Sequence, residues 1–210
     1  LIAPWKILKA GIDNLSEEFH ISPRSLKGRE LKKWLRRGED YFEGIYSFVD
    51  APTGKKLSLD QLQWLKKRGL RRIYIGLESG AQLVYELLNK PGSIEETIES
   101  VNTIKNAGIA VGVIVLMGIG GEKLSGLHVK ETVRILNRMN LGKGDIIYLS
   151  PYREVGGTEF PSILQRKDLT PMGPEDIERE KRAFAEGLKE VKFKKGIPLI
   201  SIYDIEEFVY

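Results

Sequence analysis

Short apolar runs alternate with amphipathic helical patterns along most of this chain, and this alternation constrains its fold more than any other feature. Strands that are joined by helices of about ten or more residues need crossover connections, which produce a parallel sheet covered by helices. The most apolar run, Val111–Leu116, has no polar face, as expected of a strand buried on both sides. We therefore predict an α/β protein, built either as an open doubly wound sheet or as most of a barrel. The predicted strands are 45–49, 72–77, 110–117, 145–149 and 197–202.

Capping and terminating residues predict where the helices begin and end. Ser58 and Gln61 are placed as a capping box before a helix over residues 59–68. Ser93 is placed to cap a second helix over residues 94–107. Gly69 and Gly108 follow these helices as terminators. Further helical patterns cover residues 82–89, about 127–140 and 174 to about 191, and an upstream one begins at Pro4.

These patterns predict a single α/β domain over residues 1–210. Residues 1–44 form a helical lead-in, residues 45–160 carry the strands and the ligand-facing loops, and residues 161–210 close the domain with a helix and a strand. The basic stretch 22–37 is interpreted as a solvated helix face rather than as a phosphate-binding surface.

Composition excludes several classes of site. The 210 residues contain no cysteine, which excludes disulfides, thiolate zinc sites, a cysteine nucleophile and any iron–sulfur cluster held by thiolates of these residues. His20 and His128 are the only histidines and have no ligand-like spacing, so we predict no protein-only metal site.

Charge and hydropathy narrow the partners and the location. The net charge of +4 comes from 33 basic and 29 acidic residues, a mixture that permits nucleic-acid binding without implying it. The longest uncharged apolar stretch, residues 109–121, is too short to cross a bilayer, so we expect a cytoplasmic protein with no membrane partner. The abundance of Lys and Glu with few Gln favours a thermophile source.

Polar or glycine residues follow each of four predicted strands at its carboxyl end, where both candidate architectures bind ligands. The glycine cluster 118–121 would let a backbone approach a ligand closely, with a flexible turn as the alternative. It is neither a Walker loop nor a dinucleotide fingerprint, since position 123 is Lys. The residues at the four ends are Asp50, then Glu78 and Ser79, then Gly118, Gly120, Gly121 and Glu122, and then Ser150, Tyr152 and Arg153.

Three blocks of sequence resemble the radical S-adenosylmethionine (SAM) superfamily. Residues 70–80 with 87–90 are similar to its fourth-strand signature, and residues 107–122 with His128 and Thr132 to its fifth strand and turn. Residues 149–152 with Gly156-Gly157-Thr158 resemble its sixth strand and loop. The resemblance implies a partial TIM-like (βα)6 barrel of parallel strands with outer helices. Its first two strands, with the CxxxCxxC cluster loop, would lie upstream of Leu1.

The resemblance also implies a function and a set of cofactor contacts. This chain would bind SAM in an enzyme whose [4Fe–4S] cluster, present only in a full-length parent, generates a 5′-deoxyadenosyl radical. Glu78 and Ser79 would face the ribose or methionine portion of SAM. The backbone from Leu116 through Gly118 and Gly120 to Gly121 would line the adenine, and Ser150 and Tyr152 would meet its edge. No residue is assigned a catalytic role.

Simpler interpretations stand beside each assignment. Glu78 would instead pair with Arg72 or Lys90. Tyr152 and Arg153 would only pack their loop, and His128 would cap its helix rather than touch substrate. A second functional hypothesis is a degenerate, non-catalytic barrel that binds a nucleotide or RNA. A third, an acid–base enzyme, lacks a convincing pair of carboxylates. The strand at residues 45–49 is expected to be an exposed edge that favours either a homodimer or a covering segment.

Overall fold

The computed structural model describes residues 44–152 and 160–202 of the chain. The predicted helix at Pro4, the basic stretch 22–37, Arg153 and the Gly156-Gly157-Thr158 loop lie outside these residues. The described elements, in chain order, are β1 (Ile45–Val49), α1 (Ala51–Lys55), α2 (Leu59–Lys66), β2 (Leu70–Glu78), α3 (Gln82–Leu87), α4 (Ile94–Asn106), β3 (Ala110–Met117), α5 (Gly121–Arg138), β4 (Ile146–Pro151), α6 (Phe160–Arg166), α7 (Pro174–Lys189) and β5 (Leu199–Ile202).

The five strands lie side by side in chain order, and each is parallel to its neighbours. A doubly wound sheet reverses its strand order at a switch point, whereas a barrel adds every new strand on the same side. Right-handed crossovers between strands in this order place the connecting helices on one face. The fold is therefore an α/β sheet wound in the sense of a barrel. A partial barrel is consistent with it, since β1 and β5 remain edges within the described residues.

The helix-covered face of the sheet holds the main hydrophobic core. Alternate residues of the central strands point into it, and α4, α5 and α7 close it from outside. These strand residues are fully buried because the period of two sends every second side chain to the same face. They are Ile73, Ile75, Leu77, Val111, Val113, Val115, Met117, Ile147 and Leu149.

The opposite face, which we call the open face, carries aromatic side chains and is only partly buried. The rings of Phe48 and Tyr74 stack with centroids 4.8 Å apart, and Tyr148 lies 5.9 Å from Tyr74. Gly112 makes room for this row, because a Cβ there would lie 2.2 Å from Cδ1 of Tyr74. Phe48 at the β1 edge is 68% exposed. The homodimer expected at this edge stays a prediction.

Most predicted boundaries are confirmed to within a few residues. Ser58 and Gln61 form the predicted capping box of α2, and Ser93 accepts from the backbone N–H of Glu96 at the start of α4. The predicted start of α5 near residue 127 is wrong, since the helix begins at Gly121. Residues 118–120 form the turn and Gly120 is the N-cap, so the predicted helix lacks residues 121–126, where Gly121 and Gly126 have low helix propensity. Helices α1 and α6 were not predicted.

Among the described helices, none combines the length and the apolar character needed to span a membrane.

Candidate functional site

The end of β2 departs from regular strand geometry at Glu78. The register between β2 and β3 shifts between Gly76 and Glu78, and Glu78 has a φ of 59°. The N–H of Ser79 donates to the carbonyl of Leu77 at 2.7 Å, which closes a tight three-residue turn around Glu78. A left-handed conformation costs a non-glycine residue about 1 to 3 kcal/mol and persists where the surroundings enforce it, often at functional sites.

Glu78 pairs with Lys90 across the open face. The Lys90 ammonium lies 2.6 Å from Oε1 of Glu78 and donates to the carbonyl of Gly76 at 2.7 Å. A Cβ at Gly76 would strike the Glu78 carboxylate, so the pair lies directly over this glycine. Both side chains stay partly accessible, at 16% for Glu78 and 19% for Lys90. The predicted pairing with Lys90 is confirmed.

The alternative partner of Glu78, Arg72, lies toward the other end of the sheet. Its guanidinium donates to the carbonyl of Gly144, just before β4, at 3.0 Å. Its Nε is buried without a hydrogen-bond partner among the described residues. The pairing of Glu78 with Arg72 is therefore wrong.

The side chain of Ser79 faces the protein interior. The residue is fully buried, its hydroxyl accepts from the N–H of Ala81 at 3.0 Å, and it lies 2.8 Å from Nδ1 of His128. The hydroxyl therefore fixes the turn after β2 rather than facing a ligand from this position.

His128 joins the ends of β2 and β3 from within α5. Its Nε2 lies 3.1 Å from the carbonyl of Leu116, and a carbonyl only accepts, so Nε2 carries the proton and Nδ1 accepts from Ser79. Burial lowers the pKa of His128 to about 4, against the smaller opposing effect of the Leu116 carbonyl. The predicted helix cap is wrong, since His128 lies inside α5 and its ring contacts Phe184 edge-on at 5.2 Å.

The glycine turn after β3 is held by the protein itself. The N–H of Gly118 donates to the Glu180 carboxylate at 2.6 Å, and the N–H of Gly121 to the carbonyl of Gly118 at 3.2 Å. Gly118 and Gly121 have positive φ values of 84° and 59°. A Cβ on Gly118 would lie 2.4 Å from Ile177, and one on Gly121 would lie 2.6 Å from the carbonyl of Thr170. These glycines are therefore required by the turn and its packing.

Glu180 on α7 is a site residue that the sequence analysis missed. It is 2% exposed and also accepts from the hydroxyl of Ser125 at 2.7 Å. Burial raises its pKa, and the bonds from Ser125 and Gly118 oppose the shift. A signal was present, because Glu180, Phe184 and Leu188 are spaced four residues apart and so share the buried face of α7.

The end of β4 lies directly beside the end of β3. Ser150 pairs with Leu116 in the ladder, and the N–H of Tyr152 donates to the carbonyl of Met117 at 2.9 Å. The ring of Tyr152 packs on Phe160 of α6 at 4.8 Å. Together with Leu116, these rings join a second hydrophobic cluster that includes Ala81, Val84, Leu87, Ile119 and Leu164.

The ends of β2, β3 and β4 thus form one continuous border, which we call the carboxyl edge. The predicted residues Glu78, Leu116, Gly118, Gly120, Gly121, Ser150 and Tyr152 all belong to it. The Tyr85 hydroxyl is buried without a partner within the described residues. Its pKa is raised by burial and, to a lesser extent, by the negative charges of Glu78 and Glu96.

These residues do not fit a thiolate-held metal cluster. The chain has no cysteine, and the described part contains no group of three His, Asp or Glu side chains placed to hold a metal ion. The carboxyl edge offers a carboxylate, an ammonium group, a phenol and backbone groups. This set suits hydrogen bonding to an organic ligand that carries charges of both signs.

Comparison with known proteins gives a family match and a fold match. The model of the "Radical SAM superfamily" matches residues 22–134, more than half of the chain. Two strains of Clostridium botulinum have a GTP 3′,8-cyclase that is 25% identical over 161 residues, covering 73% of this chain and 48% of that protein. This chain therefore spans about half the length of the curated relatives it matches.

The solved structure of an archaeal Elp3 from Methanocaldococcus infernus, with residues 1–46 deleted, aligns with a TM-score of 0.55 and 16% identity. The alignment covers 76% of this chain and 34% of that one. At this identity the likeness concerns the fold. It agrees with the parallel sheet and its single layer of crossover helices described above.

Proposed function

This chain belongs to the radical SAM superfamily, and from that premise we propose that its carboxyl edge binds SAM as part of a radical SAM enzyme. The observation that carries the proposal is the convergence of three strand ends on one border of a parallel sheet. Had β2 run antiparallel to β3, Glu78 and the glycine turn would lie on opposite sides of the molecule. They are parallel neighbours, joined through His128.

The two charged groups at the end of β2 complement the charged groups of SAM in sign. SAM presents an ammonium group, a carboxylate and two ribose hydroxyls. Glu78 accepts from an ammonium or a hydroxyl, and Lys90 donates to a carboxylate. The bare backbone of Gly76 lets the pair lie close to the sheet, and the buried Tyr85 hydroxyl still lacks a partner among the described residues.

The remaining predicted residues have two different roles in this proposal. Leu116, Ser150 and Tyr152 supply the wall against which the nucleoside lies, since Leu116 and Tyr152 remain partly accessible. Ser79, Gly118 and Gly121 shape the wall, since their polar or steric requirements are met inside the protein. Gly120 precedes α5 and directs the chain into the helix.

The electron chemistry of the family lies outside these 210 residues. SAM, when bound, supplies a sulfonium carbon–sulfur bond whose reductive cleavage gives the radical. The cluster that delivers the electron needs thiolates, and this chain has none. We expect the isolated chain to show no iron–sulfur absorbance after anaerobic reconstitution. A stoichiometric cluster would contradict the proposal that these residues bind SAM without holding the cluster.

The absence of cysteine favours a second candidate function, a nucleotide- or RNA-binding module without redox chemistry. The two candidates differ in ligand preference. The main proposal expects S-adenosylhomocysteine, a stable analogue of SAM, to bind more tightly than ATP or a short RNA. The reverse order would favour the second candidate.

Calorimetric titration of the chain with S-adenosylhomocysteine tests the proposal directly. We expect saturable binding, and we expect Glu78→Ala to weaken it by about 1 to 3 kcal/mol through loss of a charged hydrogen-bonding partner. Glu95→Ala is the matched control, because Glu95 is also ion-paired, with Arg138 at 2.6 Å, but on the outer helices. The proposal would be overturned by equal effects of the two variants, or by no binding at all.

A further inference from the structure

We infer that His128 is a positioning residue that holds the ends of β2 and β3 in the relative placement that nucleoside binding requires. The inference rests on the proposed function of the carboxyl edge. It assigns to a buried side chain the task of connecting two ligand-facing segments beyond the last backbone pair of β2 and β3.

The backbone ladder between β2 and β3 is irregular near its end and stops at Glu78. The register is regular from Arg72 to Gly76, then shifts, and the last pair is Glu78 with Val115. Leu116 and Ser79 lie beyond that pair. No β2–β3 pair joins these two residues, so contacts beyond strand pairing help to fix their separation.

His128 supplies such a contact through both of its ring nitrogens. The Nε2 proton is donated to the carbonyl of Leu116 at 3.1 Å, and Nδ1 accepts from the hydroxyl of Ser79 at 2.8 Å. Each nitrogen has one fixed role in this tautomer, so the ring spans the two strand ends in one orientation. Phe184, edge-on at 5.2 Å, holds the ring from the side of α7.

The same helix also fixes the segment that follows Glu78. The hydroxyl of Thr132 accepts from the N–H of Gly80 at 2.8 Å and lies 3.3 Å from Nδ1 of His128. A Cβ on Gly80 would lie 2.6 Å from the Cα of Thr132, so the chain runs directly against α5. These contacts surround Glu78 and enforce its left-handed backbone.

A catalytic role for His128 does not agree with its position. The residue and its partner Ser79 are both fully buried, and both nitrogens are engaged within the protein. A group that touches no substrate acts through the residues that it holds. For His128 those residues are Ser79 and Leu116, which flank the Glu78 side chain and the wall of the carboxyl edge.

Three variants separate positioning from general stability. His128→Leu removes both hydrogen bonds while keeping an apolar side chain. His128→Asn keeps an acceptor at the place of Nδ1 but loses the donor to Leu116. Ile135→Ala is the matched control, because Ile135 is buried on the same face of α5, one turn beyond Thr132, and its apolar side chain makes no hydrogen bond to either strand end.

Each variant is measured for its melting temperature, for its affinity for S-adenosylhomocysteine, and for the amide hydrogen exchange of Gly80 and Ala81. We expect His128→Leu to weaken affinity about tenfold or more, the loss expected of unpaired buried groups, and to speed exchange at both amides. His128→Asn should keep the two amides protected and bind about three- to fivefold more weakly than the wild type. Ile135→Ala should lower the melting temperature and leave affinity within about twofold.

The outcomes are distinguishable. If the wild-type chain does not bind S-adenosylhomocysteine, the proposed function fails and this inference fails with it. If the wild type binds and His128→Leu keeps its affinity, or loses no more than Ile135→Ala at equal stability, the inference alone is overturned. If His128→Leu does not fold, His128→Asn decides, and affinity within twofold of the wild type overturns the inference.

Discussion

The end of β2 and the turn after β3 look alike in the sequence but are used differently in the structure. In both, an apolar run gives way to a segment that contains small and acidic residues. The segment is Glu-Ser-Gly at the end of β2 and Gly-Ile-Gly-Gly-Glu after β3. At β2 a strained backbone presents the Glu78–Lys90 pair on the open face. At β3 the N–H of Gly118 and that of Gly121 are bonded within the protein, and the space beside both glycines is filled. The first region displays chemical groups, and the second maintains a shape.

The largest expected effect concerns the shape of the second region. Gly121→Ala places a Cβ 2.6 Å from the Thr170 carbonyl at a residue with a φ of 59°. We expect the free energy of unfolding to fall by about 3 to 4 kcal/mol, because a left-handed backbone and a clash with main chain both oppose the substitution. Urea denaturation measures it.

Gly126→Ala is the control for this prediction. Gly126 lies in the same helix with nothing within 4 Å of its Cβ position. Alanine there should stabilise the protein by about 1 kcal/mol, because glycine is a poor helix former. Equal effects of the two substitutions would show that the turn after β3 is not sterically fixed.

The next effect concerns the link between the two regions. Burial lowers the pKa of His128 from 6.5 to about 4, so between these values the unfolded chain binds a proton that the folded chain does not. The contribution of neutral His128 to the free energy of unfolding is therefore fully present above pH 6.5 and is lost as the pH falls toward 4. The loss amounts to about 3 kcal/mol.

The raised pKa of Glu180 has the opposite effect on the pH dependence of stability, because the folded chain retains the Glu180 proton to higher pH than the unfolded chain does. The difference between the pH profiles of the wild type and His128→Asn cancels this contribution. Denaturation between pH 4 and 7 should show a slope in the wild type that the variant lacks. Parallel profiles would contradict the description of His128 as a buried neutral link.

The smallest effect tests the strain in the first region. We expect Glu78→Gly to be more stable than Glu78→Ala by about 1 kcal/mol, because only glycine adopts a φ of 59° without cost. Arg71 is an exposed residue of β2 whose φ is not positive. There we expect the glycine variant to be less stable than the alanine variant by about 0.5 to 1 kcal/mol. If the glycine variant were the more stable one at both positions, or the less stable one at both, the backbone of Glu78 would not be strained.

The sequence predicted the elements better than it predicted the roles of individual residues. The strands and most helices were predicted from local patterns. Strands buried on two faces are continuous apolar runs, and Ser58 and Ser93 mark the starts of two helices. The predicted start of α5 was wrong because Gly121 and Gly126, which have low helix propensity, obscure the helical pattern of residues 121–126. The side chains that complete the site, Glu180 and Tyr85, come from helices whose approach to the strand ends depends on tertiary packing.

The strand order also depended on tertiary structure. Periodicity left a doubly wound sheet and a barrel both open, because either arrangement buries Val111–Leu116 on two faces. Only the order of strands in the sheet, from β1 to β5, decided in favour of barrel-like winding. The Glu78–Lys90 pair was among the sequence-based alternatives. Its position over Gly76 depended on the bulge near the end of β2.

The central claim is that three strand ends form one ligand-binding border, and a backbone NMR titration with S-adenosylhomocysteine tests it most directly. We predict that the amide resonances of residues 76–80 and 116–120, and those of Ser150 and Tyr152, shift together with a single dissociation constant. Resonances from the outer surfaces of α4 and α7 should stay unchanged. Shifts confined to one strand end, shifts on the helix-covered side, or no saturable shifts would contradict the claim.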